Sequence, residues 1–404
     1  MARQRASASA RSGGEKTSAT KKQSSLLSPR RVGALNRSRV LRALTDHGPL
    51  SRSDLAREAG VTRATMGTIV QSLIDSGLLE EHKAVGSGGI GKPARPVWFA
   101  PGAGLAVAAS VTSNAVEACL VDAVGTVRAR QSTKITDGND PEAVAHAVAS
   151  AVAAAAVGAK PVGIGVAVPG VCDTRIGEVL GSGQVPGARG GLISQRLAAH
   201  TNLPVFIDND SRAQALAERW FGSGRGLETF ASVQTGDGLG VGLVLDGVIV
   251  RSRHGSAGEA GHTAVVLDGQ QCSCGLRGCW ETIAALPWLR REAKAGGLSG
   301  ASVMTCARLS SLAAQDDAAA ALLDLYAANL SIGLANLNQV LSLEMFIIHG
   351  DALGGGEAFR VQLERHARAR SLTRLSVIAS ELGADATLLG ASALVLSETF
   401  RLVA

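Results

Sequence analysis

The chain has 404 residues, 46% hydrophobic, 18% charged and 3% aromatic, with a formal net charge of +6. At about 100–200 residues per domain, that length predicts more than one domain, and the apolar share is that of a globular protein with real cores. Every apolar run is interrupted before the roughly 18 residues of a membrane span. No apolar signal core follows the basic N-terminus, and six cysteines in so long a chain do not make a disulfide framework. A soluble, cytoplasmic protein without a membrane partner is expected.

The charge is unevenly placed. Residues 1–100 hold 17 Lys and Arg against 7 Asp and Glu, a balance of +10 that leaves −4 for the remainder. A basic first module on a mildly acidic body points to a polyanion partner for the first part, or to a basic tail with none. Residues 1–34, rich in Ser, Ala, Gly, Lys and Arg without apolar periodicity, are expected to be a disordered tail.

Val40, Leu41 and Leu44 predict a first helix that Gly48-Pro49 stops. Ser51 can cap a second helix burying Leu55 and Ala56, and Gly60 makes a tight turn. Thr62 can cap a third helix with Met66, Ile69, Val70 and Leu73 at helical spacing. Leu78-Leu79, the basic Gly-rich "VGSGGIGKPARP" and "VWFA" then predict two strands joined by a flexible loop. Three helices with a glycine turn and a following hairpin make a winged helix-turn-helix over residues 35–100. The third helix would enter the major groove of double-stranded operator DNA, with Arg63, Ala64, Thr65, Thr68 and Gln71 on its free face and Lys92 and Arg95 on the wing. Arg63 and Thr68 are expected at bases and Thr65 at a phosphate. The alternative is a helical domain for protein contacts.

The pattern changes near Pro101-Gly102. "LAVAASVT" and "EACLVDAVG" predict a hairpin, "VGIGVAVPG", "PVFIDND", "TFASVQT", "VGLVLDGVIV" and "MFIIHG" strands, and "AVAHAVASAVAAAA", "ISQRLAAHT", "SRAQALAERWFG" and "AALLDLYAANLSIGLANLNQVL" helices. Such alternation is an α/β, sheet-and-helix fold over residues 104–404. Cys119, Cys172 and Cys306 stand alone in apolar or small-residue settings and are expected to be buried thiols. His262, Cys272, Cys274 and Cys279 cluster, and four such groups suit a closed tetrahedral structural zinc site. Reduced free thiols and redox chemistry are the alternatives.

These residues are similar to those of a known family. "HGPLSRSDLAREAGVTRATMGTIVQSLIDSGLLEE" with "GIGKPARPVWFAPGAG" resembles the winged helix of ROK-family repressors. "GIGVAVPGVCD", "PVFIDND", "GDGLGVGLVLDG", "GSAGEAGH" and "CSCGLRGCWE" resemble the ROK sugar-kinase core in the same order. The resemblance implies a two-lobed, actin-like (RNase H-like) ATPase-type body. It also implies a sugar pocket of Asn209, Asp210, Glu259, His262 and Glu281, with His262 shared with zinc. Arg189 stands near a place where relatives often carry an aromatic.

In ROK kinases Asp210 would be the base at the attacked hydroxyl. Here Ser110, Val111, Thr112, Ser113 and Asn114 occupy the first phosphate loop, Asp237 replaces a usual Thr, and His349-Gly350-Asp351 replaces a Gly-Gly pair. A carboxylate at Asp237 is expected to repel nucleotide phosphates. The expectation is a sugar- or sugar-phosphate-responsive DNA-binding repressor, a homodimer or homotetramer, without ATP or catalysis. The alternatives are a sugar kinase with an appended DNA-binding domain and a regulator that answers to a protein partner.

Overall fold

The computed structural model describes residues 29–82, 95–252 and 255–400. The first module is α1 (Pro29–His47), β1 (Leu50–Ser51), α2 (Arg52–Glu58), α3 (Arg63–Asp75), β2 (Leu79–Glu81) and β3 (Pro96–Phe99), with sheet order β1-β3-β2. Its caps are those expected. Ser51 Oγ accepts the Asp54 N–H and Thr62 Oγ1 the Thr65 N–H, both at 3.2 Å. Gly60, at φ +65°, supplies the turn between α2 and α3. Leu44, Leu55, Met66, Val70 and Leu79 are fully buried, and Ile69 is only partly so. One expectation is corrected: α1 begins at Pro29, inside the segment read as tail, where proline's fixed φ suits a first helical turn. Residues 1–28 lie outside the described residues.

The first lobe is a five-stranded sheet, β4 (Ala106–Val111), β5 (Ala115–Val121), β6 (Val127–Lys134), β7 (Ile164–Val168) and β10 (Val205–Asn209), in the order β10-β7-β4-β5-β6. β4 and β5 form the expected antiparallel hairpin. The edge strand β6 was not foreseen, because "VRARQSTK" is exposed along most of its length and has no apolar alternation. α4 (Pro141–Ala155) and α5 (Leu192–Thr201) cover this lobe, and β8 (Val171–Asp173) pairs with β9 (Glu178–Gly181) as a ribbon.

The second lobe carries β11 (Phe230–Thr235), β12 (Leu239–Leu245), β13 (Val248–Ile249), β14 (Met345–Gly350) and β15 (Ser376–Ala379) in the order β13-β12-β11-β14-β15. Its helices are α7 (Glu281–Ala284), α8 (Leu286–Ala295), α9 (Cys306–Ala313), α10 (Asp317–Leu341) and α11 (Gly356–Arg370). A second correction concerns α10. Among the described residues it is one helix long and apolar enough, by length and composition, to cross a membrane. Its Leu322, Leu323, Tyr326, Leu330 and Leu334 are packed in the lobe core instead.

Two helices join the parts. α6 (Asp210–Phe221) is buried from Ser211 to Trp220. α12 (Ala386–Thr399) is buried on nearly every face and lies against α6 and the first sheet. The approach is so close that a Cβ on Gly165 of β7 would sit 1.9 Å from the Ala391 carbonyl oxygen. One apolar core runs from Val40, Leu44 and Phe99 of the first module to Leu216 and Trp220 of α6 and Leu396 of α12, so the winged helix is packed onto the body.

Candidate functional site

The first cluster forms where β10 ends and α6 begins. Asn209, in extended conformation, is the helix cap: its Oδ1 accepts the Ser211 and Arg212 N–H groups, each at 3.0 Å. Its Nδ2 donates to the Gly170 carbonyl (2.9 Å) and to Asp210 Oδ1 (3.1 Å). Two acceptor sites and two protons are thus all used, and Asn209 orients Asp210. Capping, read from sequence as an alternative role for Asp210, falls to its neighbour. Burial pushes the Asp210 carboxyl up to about 6; bonds from Ser211 oppose this and Glu259 adds to it.

Beneath lies an ion-pair hub that sequence reasoning missed. Arg212 Nε is 2.6 Å and Arg251 Nε 2.9 Å from opposite oxygens of Asp208, and Arg212 and Asp208 are both almost fully buried. Arg212 also donates to the carbonyls of Gly255 (2.7 Å), Ala257 (3.2 Å) and Cys172 (3.1 Å), holding the loop that leads to Glu259. Its only sequence signal was the i, i+4 spacing of Asp208 and Arg212.

Glu259 Oε2 is 3.9 Å from His262 Nε2. Burial raises the Glu259 carboxyl, His262 and Arg212 lower it, and Glu281 raises it. Glu281 opens α7; its Oε2 accepts the Leu239 N–H (3.0 Å) and its Oε1 lies 3.5 Å from Cys272 Sγ. A Cβ on Gly238 would lie 3.2 Å from that carboxylate and 3.6 Å from Gln184 Nε2, so an unforeseen residue of the first lobe meets this corner. Arg189, on the same loop as Gln184, is exposed.

The four expected ligands converge. One donor atom each from His262, Cys272, Cys274 and Cys279 lies within 4.8 Å of the others. Cys274 and Cys279 sulfurs are 3.7 Å apart, and Cys272 Sγ is 3.5 Å from His262 Nδ1. Metal–sulfur bonds of about 2.3 Å and metal–nitrogen bonds of about 2.0–2.1 Å give tetrahedral edges of about 3.8 and 3.5 Å, whereas a disulfide needs about 2.05 Å. The donor set therefore fits a tetrahedral ion. Gly278 (φ +70°) closes the loop where a Cβ would strike the Val266 carbonyl at 1.9 Å. Cys119, Cys172 and Cys306 are buried, as expected.

The phosphate-loop positions have local partners. The β4–β5 turn is closed by Thr112, whose N–H and Oγ1 both donate to the Ala115 carbonyl at 2.9 Å, and Ser110 pairs in register with Glu117. Asp237 is 2.6 Å from Arg290 Nη1, an ion pair on a largely exposed carboxylate. His349 Nε2 is buried 3.2 Å from Glu218 Oε1. Burial raises that carboxyl, but His349 and Ser380 together hold it below its usual range.

On the first module Arg63, Ala64, Thr65 and Thr68 are exposed on α3. Thr65 Oγ1 lies 2.9 Å from Thr62 Oγ1, and Thr68 Oγ1 donates to the Ala64 carbonyl at 3.3 Å. Gln71 is exposed but engaged, donating to Asp75 (2.9 Å) and accepting from Arg52 (3.0 Å). Arg52, unforeseen, also donates to Glu81 at 2.7 Å and so ties α3 to β2. Arg95 is 3.8 Å from Glu81. Lys92 lies outside the described residues.

The chain is similar along most of its length to the xylose repressor of Caldicellulosiruptor bescii: 28% identical over 388 residues, 90% of this chain and 96% of that repressor. A crystal structure of a ROK family transcriptional regulator, homolog of the E. coli MLC protein, superposes with a TM-score of 0.76 at 25% identity, covering 92% of this chain and 98% of that one. A ROK family glucokinase from Streptomyces griseus, solved in complex with glucose and AMPPNP, matches 72% of this chain and 99% of its own at 27% identity and a TM-score of 0.63. A MarR family model matches residues 34–88, which places a winged helix of that type before an actin-like body. With the ROK family model matching residues 107–398, more than half of the chain, this protein belongs to the ROK family.

Proposed function

We propose that this protein is a sugar-responsive transcriptional repressor that binds double-stranded operator DNA as a homodimer or homotetramer and does not transfer phosphate. The observation that carries this reading is the joining, in one packed chain, of an exposed third helix to a body in which Glu259 lies 3.9 Å from His262 and acts electrostatically on Asp210, residues that the family resemblance gives to a sugar pocket together with Asn209 and Glu281. Carboxylates bind vicinal hydroxyls through charge-assisted bonds. Three of them favour an unphosphorylated sugar over a sugar phosphate, which they repel. D-Xylose, named for the C. bescii relative, and D-glucose, held by the S. griseus enzyme, are the first compounds to test. A single helix-turn-helix gains affinity by reading two half-sites, so at least a dimer acts.

The thiol cluster is assigned to structural zinc. Four protein donors leave no open position for catalysis, and the ion would fix one ring nitrogen of His262 and leave the other toward Glu259. ATP is not expected to serve as a cofactor, because the positions that the resemblance gives to the first phosphate loop and to the nucleotide's glycine pair carry the Thr112 turn and the buried His349.

The test is a thermal-shift screen of free sugars and their phosphates, followed by DNA binding with each hit. Release of DNA by a free sugar supports the reading; failure of every sugar at millimolar concentration to alter DNA binding overturns it. The kinase reading is favoured by one observation, the Asp210 carboxyl raised to about 6, which suits a general base. Sugar-dependent ADP release that Asp210→Asn abolishes would establish it.

A further inference from the structure

Helix α6 begins at Asp210, assigned above to the effector pocket, and its last turn meets the DNA-binding module. Its first residue is Asp210, and its 12 residues span about 18 Å. In its last turn Arg219 Nη2 is 3.0 Å from Asp46 of α1, and Arg219 Nε is 3.4 Å from the Gly247 carbonyl in the β12–β13 turn. Arg42 of α1 donates to the same carbonyl at 3.2 Å. Gly247, at φ +71°, permits this approach, since a Cβ there would lie 3.0 Å from Arg219 Nη2. Arg219 and Asp46 are both largely buried, 7% and 15% exposed, so solvent screens this pair less than a surface bridge.

Two features mark the joint as one that can be remade. Arg219 Nη1 is buried with no hydrogen-bond partner, an unmet donor of a kind that native interiors seldom tolerate. A cavity walled by Arg42, Asp46, Leu216, Arg219, Gly247 and Arg251 adjoins it. Arg251 is also bonded to Asp208, two residues before Asp210, so a second covalent and ionic route runs from the pocket to the same cavity. Burial raises the Asp46 carboxyl while Arg219 and Arg42 lower it, so the charged form depends on these partners.

We propose that Arg219 is the positioning residue that transmits occupancy of the sugar pocket to the winged helix, by holding Asp46 and the Gly247 carbonyl from the helix whose first turn carries Asp210. A ligand that shifts Asp210 moves α6 as a rod, and Arg219 passes the shift to α1. Coupling of this kind is a difference in affinity between two states, commonly about 5- to 150-fold. The proposal rests on the sugar-sensing reading above.

The experiment compares the full-length wild type with Arg219→Gln, Arg219→Lys and Asp46→Asn. The DNA is a duplex selected from a random pool by the wild type, and D-xylose and D-glucose are the probes. Three quantities are read: sugar affinity by calorimetry, DNA affinity without sugar, and the ratio of DNA affinities without and with sugar. The wild type is expected to give a ratio of about fivefold or more. Arg219→Gln and Asp46→Asn are expected to bring it within about twofold of one while sugar affinity changes by less than about threefold, and Arg219→Lys, which keeps the charge but not the fork, to fall between. Hydrogen exchange of the α1 amides should respond to sugar in the wild type and not in Arg219→Gln. A wild-type ratio retained by either neutral variant overturns the coupling role alone; a wild-type ratio of one with D-xylose, D-glucose and every hit of the sugar screen overturns the sensing reading with it. Should Arg219→Gln fail to fold, the ratio in Asp46→Asn decides.

Discussion

Asp210 shows how a single residue's environment sets what it can do. A carboxyl at a helix N-terminus is ordinarily held low by the dipole and by N–H donors. Here burial outweighs those bonds, and Glu259 adds to the shift, bringing Asp210 to about 6. If the ionised form accepts hydroxyl bonds from the effector, affinity should fall about tenfold between pH 7.5 and pH 5, because a group with that pKa loses about nine-tenths of its charge over the interval. Calorimetry at the two pH values checks this, and Asp210→Asn should weaken binding about tenfold or more at pH 7.5 and flatten the profile. The stability sign is opposite. A folded pKa raised above 3.8 means that ionised Asp210 destabilises the fold above about pH 6, and the penalty is relieved as the pH falls toward 4. Asp210→Asn should therefore raise the melting temperature at pH 7.5 and leave it unchanged near pH 4. The family resemblance carried by "PVFIDND" was enough to nominate Asn209 and Asp210. It was not enough to divide their roles, because that division depends on the Gly170 carbonyl, 39 residues away.

At the scale of elements, the thiol loop is the clearest case of a short segment whose conformation follows from local chemistry. Its ligand spacing, its two positive-φ glycines (Gly275 and Gly278) and its mutual distances agree. Metal analysis is expected to find about one zinc per chain. Chelation or Cys279→Ser should lower both the melting temperature and effector affinity, since Glu281 Oε1 lies 3.5 Å from Cys272 Sγ; unchanged effector affinity after zinc loss would contradict the shared-wall assignment. Helix α12 is the opposite case. Its sequence is apolar all round, so periodicity names no face, and only its place among α6, β4 and β7 explains it. Gly165→Ala would put a Cβ 1.9 Å from the Ala391 carbonyl, and should destabilise the protein by about 3 kcal/mol or more, read by denaturant unfolding.

At the scale of the molecule, the winged helix shares a core with the body and is not tethered by a loose linker. An effector can therefore act on the DNA-binding surface through packed elements. The surface itself is divided: Arg63 is free on α3, whereas Gln71 is bonded to Arg52 and Asp75. Arg63→Ala is expected to reduce operator affinity by about 1–3 kcal/mol and to relax sequence preference, whereas Gln71→Ala should change both less. Binding of both variants to matched and scrambled duplexes at two salt concentrations separates base contacts from phosphate contacts.

What the sequence determined by itself is whatever rests on local pattern. The caps at Ser51 and Thr62, the hairpin β4–β5, the alternating helices and strands and the Cys/His spacing are all short-range, and each recurs in the structure where expected. Only tertiary structure decided the charge pairings. Arg290 pairs with Asp237, Arg251 joins Asp208 from 43 residues away, and Arg219 meets Asp46 across a module boundary. The physical reason is range. Capping and periodicity act within one or two turns of the chain, whereas the strength of a charge depends on burial and on partners that folding brings from tens or hundreds of residues away.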